Sequence, residues 1–141
     1  KLLRALVEEE KRSLIMITHS LGVVRELVDR IYVMYAGHIV ECCDTAELFK
    51  NPLHPYTQGL LACVPRLTGG GISAGIYGYI PSYVNPPKGC RFFNRCPHCT
   101  ERCKQEKPGN YQVADGHTVA CFLYEKDGVN TTEERGEDHV E

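Results

Sequence analysis

The chain has 141 residues, of which 24% are charged and 43% hydrophobic, eight are cysteines, and the formal net charge is -2. That length suits one domain with a core, or part of a domain with a small appendage. No run of 18 apolar residues exists to form a membrane span, and no signal-peptide layout opens the chain, which points to a reduced compartment where clustered thiols bind metal rather than pair as disulfides.

Residues 2–10 read as the end of a helix, with Leu2, Leu3, Leu6 and Val7 on one face and a polar turn from Glu8. Because the chain starts inside this pattern without Met, it is expected to be a fragment. Residues 13–18 form a short continuous apolar run, the pattern of a parallel-sheet strand buried on both faces. His19 stands at its carboxyl end, the edge at which open α/β sheets bind ligands. An imidazole there can bond a phosphate oxygen or a catalytic water, although a lone histidine at a strand end is more often structural.

Residues 23–29 read as a short amphipathic helix. Residues 30–42 alternate β-formers around Ala36-Gly37 and predict a hairpin. Asp44, with Glu47 three residues on, fits a helix start that Pro52 stops, and a second short helix is expected after Pro55, before Pro65. From 68 to 87 the chain turns to glycine and proline, with Gly69, Gly70, Gly71, Gly75, Gly78, Pro81, Pro86 and Pro87. This divides the chain into an α/β part (1–67), a linker (68–87), a cysteine-rich module (88–124) and a tail (125–141). The tail holds seven acidic residues against Lys126 and Arg135 and is expected to be disordered.

Five of the eight cysteines fall within residues 89–121: Cys90, Cys96, Cys99, Cys103 and Cys121. Thiols gathered this densely mean a metal centre, a disulfide cage or accident. Cys42, Cys43 and Cys63 are most simply core residues. His98 and His117 are expected to be solvated or to stand behind ligands rather than to ligate.

Leu14-Ile-Met-Ile-Thr-His-Ser-Leu-Gly-Val-Val24, followed by Asp29-Arg-Ile-Tyr-Val-Met-Tyr-Ala-Gly-His-Ile-Val-Glu41, resembles the end of an ABC-transporter ATPase domain. Asn51-Pro-Leu-His-Pro-Tyr-Thr-Gln-Gly-Leu-Leu61 and Pro86-Pro-Lys-Gly-Cys-Arg-Phe92 narrow the resemblance to oligopeptide/dipeptide importer ATPases, over roughly residues 1–124. Taken locally, His54-Pro-Tyr-Thr57 reads as a turn and helix start. The fold implied is α/β: the C-terminal piece of an ABC ATPase domain (parallel-sheet strand, helix, β-hairpin), then a small irregular cysteine-rich metal or cluster module.

The resemblance implies that His19 is the switch-loop histidine, contacting the γ-phosphate of ATP and aligning the attacking water. Ser20 replaces the family's usual Asp. It further implies a [4Fe-4S] cluster on Cys90, Cys96, Cys103 and Cys121, with Arg91, Arg95 and Arg102 offsetting its charge. Cys99 is a fifth thiol outside that pattern and an alternative ligand, and it keeps a structural Zn2+ open.

No phosphate loop of the form Gly-x-x-x-x-Gly-Lys-Ser/Thr occurs in the chain, so it is not expected to hydrolyse ATP alone. ATP and Mg2+ would belong to a full-length parent. The expected partners are a second ABC ATPase subunit, membrane permease subunits and, indirectly, a peptide-binding protein, at the cytoplasmic face of the membrane. Two rival classes are a zinc-binding interaction or nucleic-acid module, disfavoured by the net acidity, and a free-standing electron carrier, which would need a redox partner.

Overall fold

The computed structural model describes residues 3, 7, 9–63, 76, 78, 79 and 84–131. Most of the expected helix over 2–10, of which Leu3, Val7 and Glu9 are described and helical, most of the linker and the end of the tail lie outside them.

Helix α1 (Leu21–Leu27) leads into strands β1 (Arg30–Tyr35) and β2 (His38–Asp44), the predicted hairpin. Its two-residue turn places Ala36 at φ 48° and Gly37 at φ 80°. Positive φ at both central residues matches the right-handed twist of the flanking strands. Helix α2 (Thr45–Lys50) starts straight off β2 after Asp44. The Thr45 amide and hydroxyl donate to the Asp29 and Val28 carbonyls, which pins α2 beside the entry to β1. Helix α3 (Pro55–Ala62) begins with proline at its first position, where the missing N–H costs nothing.

The cysteine-rich segment holds a short 3-10 turn (Phe93–Arg95), helix α4 (Glu101–Gln105), strands β3 (Tyr111–Ala114) and β4 (His117–Val119), a second 3-10 turn (Phe122–Tyr124) and strand β5 (Val129–Asn130). The five strands form one antiparallel sheet in the order β1-β2-β4-β3-β5. Glu41 pairs with Val119 and Cys42 with Thr118, and the Ala120 amide extends this contact to the Val40 carbonyl. The hairpin and the cysteine-rich segment are therefore halves of one sheet.

Residues 13–18 do not form a strand. Ile15 and Ile17 are 92% and 98% exposed, and the described residues place no strand beside them. A run apolar on both faces becomes a strand only when neighbours flank it. The tail also differs from expectation at its start. Val129 and Asn130 pair with Gln112 and Tyr111, and the Thr131 amide bonds the Asn110 carbonyl, so residues up to 131 belong to the sheet.

The core joins the two halves. Val33, Tyr35, Val40, Cys43 and Leu48 from the hairpin and α2 close around Phe92, which is 2% exposed. The Phe92 ring meets Tyr35 edge-on at 5.0 Å and lies 5.6 Å from Tyr56 and 5.7 Å from His54. Such aromatic pairs add about 0.5–1.5 kcal/mol each beyond their buried area.

Candidate metal centre

The sheet and the Phe92 core bring four of the five clustered cysteines to one place. Cys90, Cys96, Cys103 and Cys121 line a single cavity of about 90 Å³, walled by Phe92, Phe93, Pro108, Phe122 and Leu123, with Thr100 and His98 at its edge. Each sulfur arrives by a different local device. The Cys90 amide donates to the Cys103 carbonyl at 2.8 Å, tying the start of the segment to α4. Gly89 permits this approach, because a Cβ there would lie 2.3 Å from the Cys103 oxygen. Cys121 stands between the Ala120–Val40 bond and the second 3-10 turn, so the edge of β2 sets its position.

The four cysteines are half-buried and share one neighbourhood. Burial pushes Cys121 up to about 11, with Cys96, Cys90 and Cys103 adding to the rise. Cys90 and Cys96 are raised for the same reason, burial first and nearby thiols second. Opposing this, backbone amides of Phe92 and Phe93 favour the Cys90 thiolate, His98 that of Cys96 and Leu123 that of Cys121. Amides aimed at sulfur stabilise charge that a metal would draw onto these atoms. The four thiols, the dry walls and the amides fit a four-thiolate centre, and that donor set suits either an iron–sulfur cluster or zinc.

Cys99 is not part of the cavity lining. Its Sγ points to the Thr100 carbonyl at 3.4 Å, next to Cys103, whose Sγ also meets the Thr100 hydroxyl at 3.2 Å. The three arginines are committed elsewhere. Arg91 donates to the Ala36 carbonyl, and Arg95 to the Tyr35 hydroxyl and the Ile76 carbonyl. Arg102 pairs with Glu106 and Glu125 while stacking 4.1 Å over the Phe122 ring, so two carboxylates oppose its charge. Arg91 and Arg95 tie the segment to the first hairpin, and Arg102 braces its exposed side.

His117 is not solvated. It is 2% exposed, and its Nε2 lies 2.9 Å from Glu41 Oε1. Glu41, itself 1% exposed, also accepts from the Leu53 amide at 2.8 Å and the His54 amide at 2.9 Å. With Cys43 these two residues bring three ligand-type atoms within 4.8 Å of one another. The geometry favours a structural lock over a metal site, because both carboxylate oxygens already hold backbone N–H groups and burial pushes the Cys43 thiol up to about 12. Sequence reading passed over this lock. Its signals were available: Glu41 opposite apolar strand neighbours, and Asp115-Gly116 between alternating residues, the mark of a second hairpin.

His54 is 1% exposed and also lines the cavity. Its Nδ1 accepts from the Tyr56 amide at 3.0 Å and so caps α3. Burial lowers it to about 4, against a smaller opposing pull from Glu41, which keeps the imidazole neutral. Cys42 and Cys43 are buried as expected, but Cys63 is exposed, with its thiol on the Gly59 carbonyl one turn back. His19 is exposed and stands just before Ser20, the residue that opens α1.

A buried glutamate and a His-Pro-Tyr helix start thus join a sheet edge to a cysteine cavity. Residues 40–103 match the family model described as the oligopeptide/dipeptide transporter, C-terminal region. It is 43% identical over 131 residues to the oligopeptide transport ATP-binding protein AppD of Bacillus subtilis, covering 92% of this chain and 40% of that protein. It is 42% identical over 127 residues to the dipeptide transport ATP-binding protein DppD of Caldanaerobacter subterraneus, covering 89% of this chain and 39% of that protein. For the dipeptide transport ATP-binding protein DppF of Haemophilus influenzae, identity is 42% over 123 residues, covering 86% of this chain and 38% of that protein. The chain thus spans about two fifths of the length of these curated relatives. Among the described residues no helix is long and apolar enough to cross a membrane.

Proposed function

We propose that this chain is the C-terminal part of the ATP-binding subunit of a di- or oligopeptide ABC importer, and that Cys90, Cys96, Cys103 and Cys121 hold a [4Fe-4S] cluster there. The observation that carries the cluster reading is the convergence of these four sulfurs, without Cys99, on one apolar cavity. Four thiolates are the ligand count such a cluster requires. When bound, the cluster would cross-link the segments that carry Cys90, Cys96, Cys103 and Cys121, and would reach β2 through Cys121.

In the intact subunit His19 would serve as the switch-loop histidine beside the γ-phosphate of Mg2+-bound ATP. Its exposure leaves the imidazole open to such a partner. The subunit would pair with a second ATP-binding subunit and with permease subunits that receive peptide from a binding protein, at the cytoplasmic face of the membrane. The likeness to the transport ATP-binding proteins AppD, DppD and DppF supports peptide transport as the process.

Anaerobic purification of the full-length subunit with iron, sulfide and zinc analysis tests the cofactor. Iron and acid-labile sulfide in equal amounts are expected, and stoichiometric zinc without sulfide would replace the cluster with a structural zinc site. For His19, His19→Ala in the full-length subunit is expected to abolish ATP turnover while nucleotide still binds. Unchanged turnover would remove the residue from the mechanism.

A further inference from the structure

His54 does more than begin a helix. Its Nδ1 is occupied by the Tyr56 amide proton, so in the neutral ring the proton sits on Nε2. Among the described residues no group accepts from that Nε2–H. The imidazole nevertheless is buried, packs on Phe92 and faces the cavity that contains the four cysteine sulfurs. An N–H that finds no protein acceptor and belongs to a cavity-lining ring is satisfied by what occupies that cavity. The backbone also leaves the ring little freedom. Glu41 holds the His54 amide at 2.9 Å, and Pro55 fixes the residue that follows.

We propose that His54 is a hydrogen-bond donor to the occupant of the cysteine cavity, a positioning residue that presents Nε2–H to a thiolate or sulfide of the cluster. This inference rests on the cluster reading above. The His-Pro-Tyr order then has one physical sense. Histidine supplies the donor, proline sets the helix start, and the Tyr56 amide selects the tautomer by filling Nδ1. Donors to cluster sulfur stabilise the more negative reduced state and raise the reduction potential.

The test uses the full-length subunit, purified anaerobically, with iron and sulfide content measured before any titration. His54→Ser keeps an oxygen able to cap α3 but cannot reach the cavity with a donor. His54→Gln restores an N–H on a longer side chain. The expected result is full iron and sulfide in both variants, a lower reduction potential in His54→Ser, and a return towards the native value in His54→Gln. A purely structural role for the cap would leave the His54→Ser potential unchanged, and that result would overturn the proposal.

If the variants fail to load, the native subunit labelled with 15N-histidine supplies the readout. The reduced cluster should show a 15N coupling that survives His98→Ala, a change at the exposed histidine on the same cavity. Loss of the coupling in His98→Ala, or its absence from the start, would equally overturn the proposal. A native subunit without iron and sulfide would refute the cluster reading and this inference together, whereas a loaded cluster indifferent to His54 would refute only the inference.

Discussion

His117 Nε2 meets Glu41 Oε1 at 2.9 Å across the β2–β4 pair, seventy-six residues apart in sequence. Glu41 accepts from two backbone amides as well, one on each oxygen, and the His117 Nε2–H is the third donor to the same carboxylate. One side chain therefore binds three chain segments: the hairpin that carries it, the loop into α3, and the second hairpin. Removing it leaves two amides and an imidazole N–H without acceptors inside the core. Glu41→Ala should destabilise the fold by about 3–5 kcal/mol, the usual cost of orphaning the partners of a buried charge. Urea unfolding measures this, and a loss below ~1 kcal/mol would show that water replaces the carboxylate.

His54 makes stability depend on pH. Its folded value of about 4 lies below the ordinary 6.5, because burial disfavours the charged ring. Between those two values the unfolded chain binds a proton that the folded chain does not, so stability rises with pH across that window. The contribution is complete above pH 6.5 and is lost as pH falls towards 4, amounting to about 3 kcal/mol over the full range. Glu41 is the carboxylate facing His54, and it sits on the same side of the comparison in every variant. Unfolding free energies of the native chain and of His54→Asn at pH 7 and pH 5 isolate the imidazole. The native chain should lose more than the variant, and parallel losses would count against a buried neutral ring.

Gly89 tests the assembly of the cavity. An added Cβ would lie 2.3 Å from the Cys103 carbonyl oxygen and 2.6 Å from the Lys104 carbonyl carbon, both backbone atoms that cannot swing away. Gly89→Ala should break the Cys90–Cys103 backbone bond and cost about 1–3 kcal/mol, the range for forcing atoms into a filled site. It should also lower metal content more than it lowers helicity, which metal analysis beside far-ultraviolet circular dichroism resolves. Native metal content in the variant would mean that the chain relaxes around the methyl group.

The first hairpin was legible because its signal is local: alternating β-formers around Ala36-Gly37, a turn whose backbone the two residues specify themselves. The starts of α2 and α3 were legible for the same reason, through Asp44 and Pro55. Residues 13–18 have the composition of a strand, but pairing depends on neighbours, and composition is silent about those. The second hairpin and the buried Glu41 each leave a local mark, but the joining of β2 to β4 does not, because Glu41 and His117 meet across the whole cysteine segment. Spacing singled out the cysteines as a group. Placing Cys99 outside the cavity required the α4 turn, which directs Cys103 inward and leaves the neighbouring thiol on the Thr100 carbonyl.

Cys99 lies against Cys103 yet does not line the cavity, and this gives a last prediction. Cys99→Ser should leave metal content unchanged, whereas serine at Cys90, Cys96, Cys103 or Cys121 should abolish or sharply reduce it. Burial holds Cys90, Cys96 and Cys121 above their ordinary range, with Cys121 at about 11, so these thiols are protonated near neutral pH before loading. Loading must then expel about one proton from each of these three, and apparent affinity should climb with pH. Zinc or cobalt titration of the apo subunit in weakly buffered solution reads the protons directly, and cobalt–thiolate absorption reports the number of sulfurs. Loss of metal in Cys99→Ser, with metal retained in Cys121→Ser, would move the centre out of the cavity and onto the α4 face, away from β2.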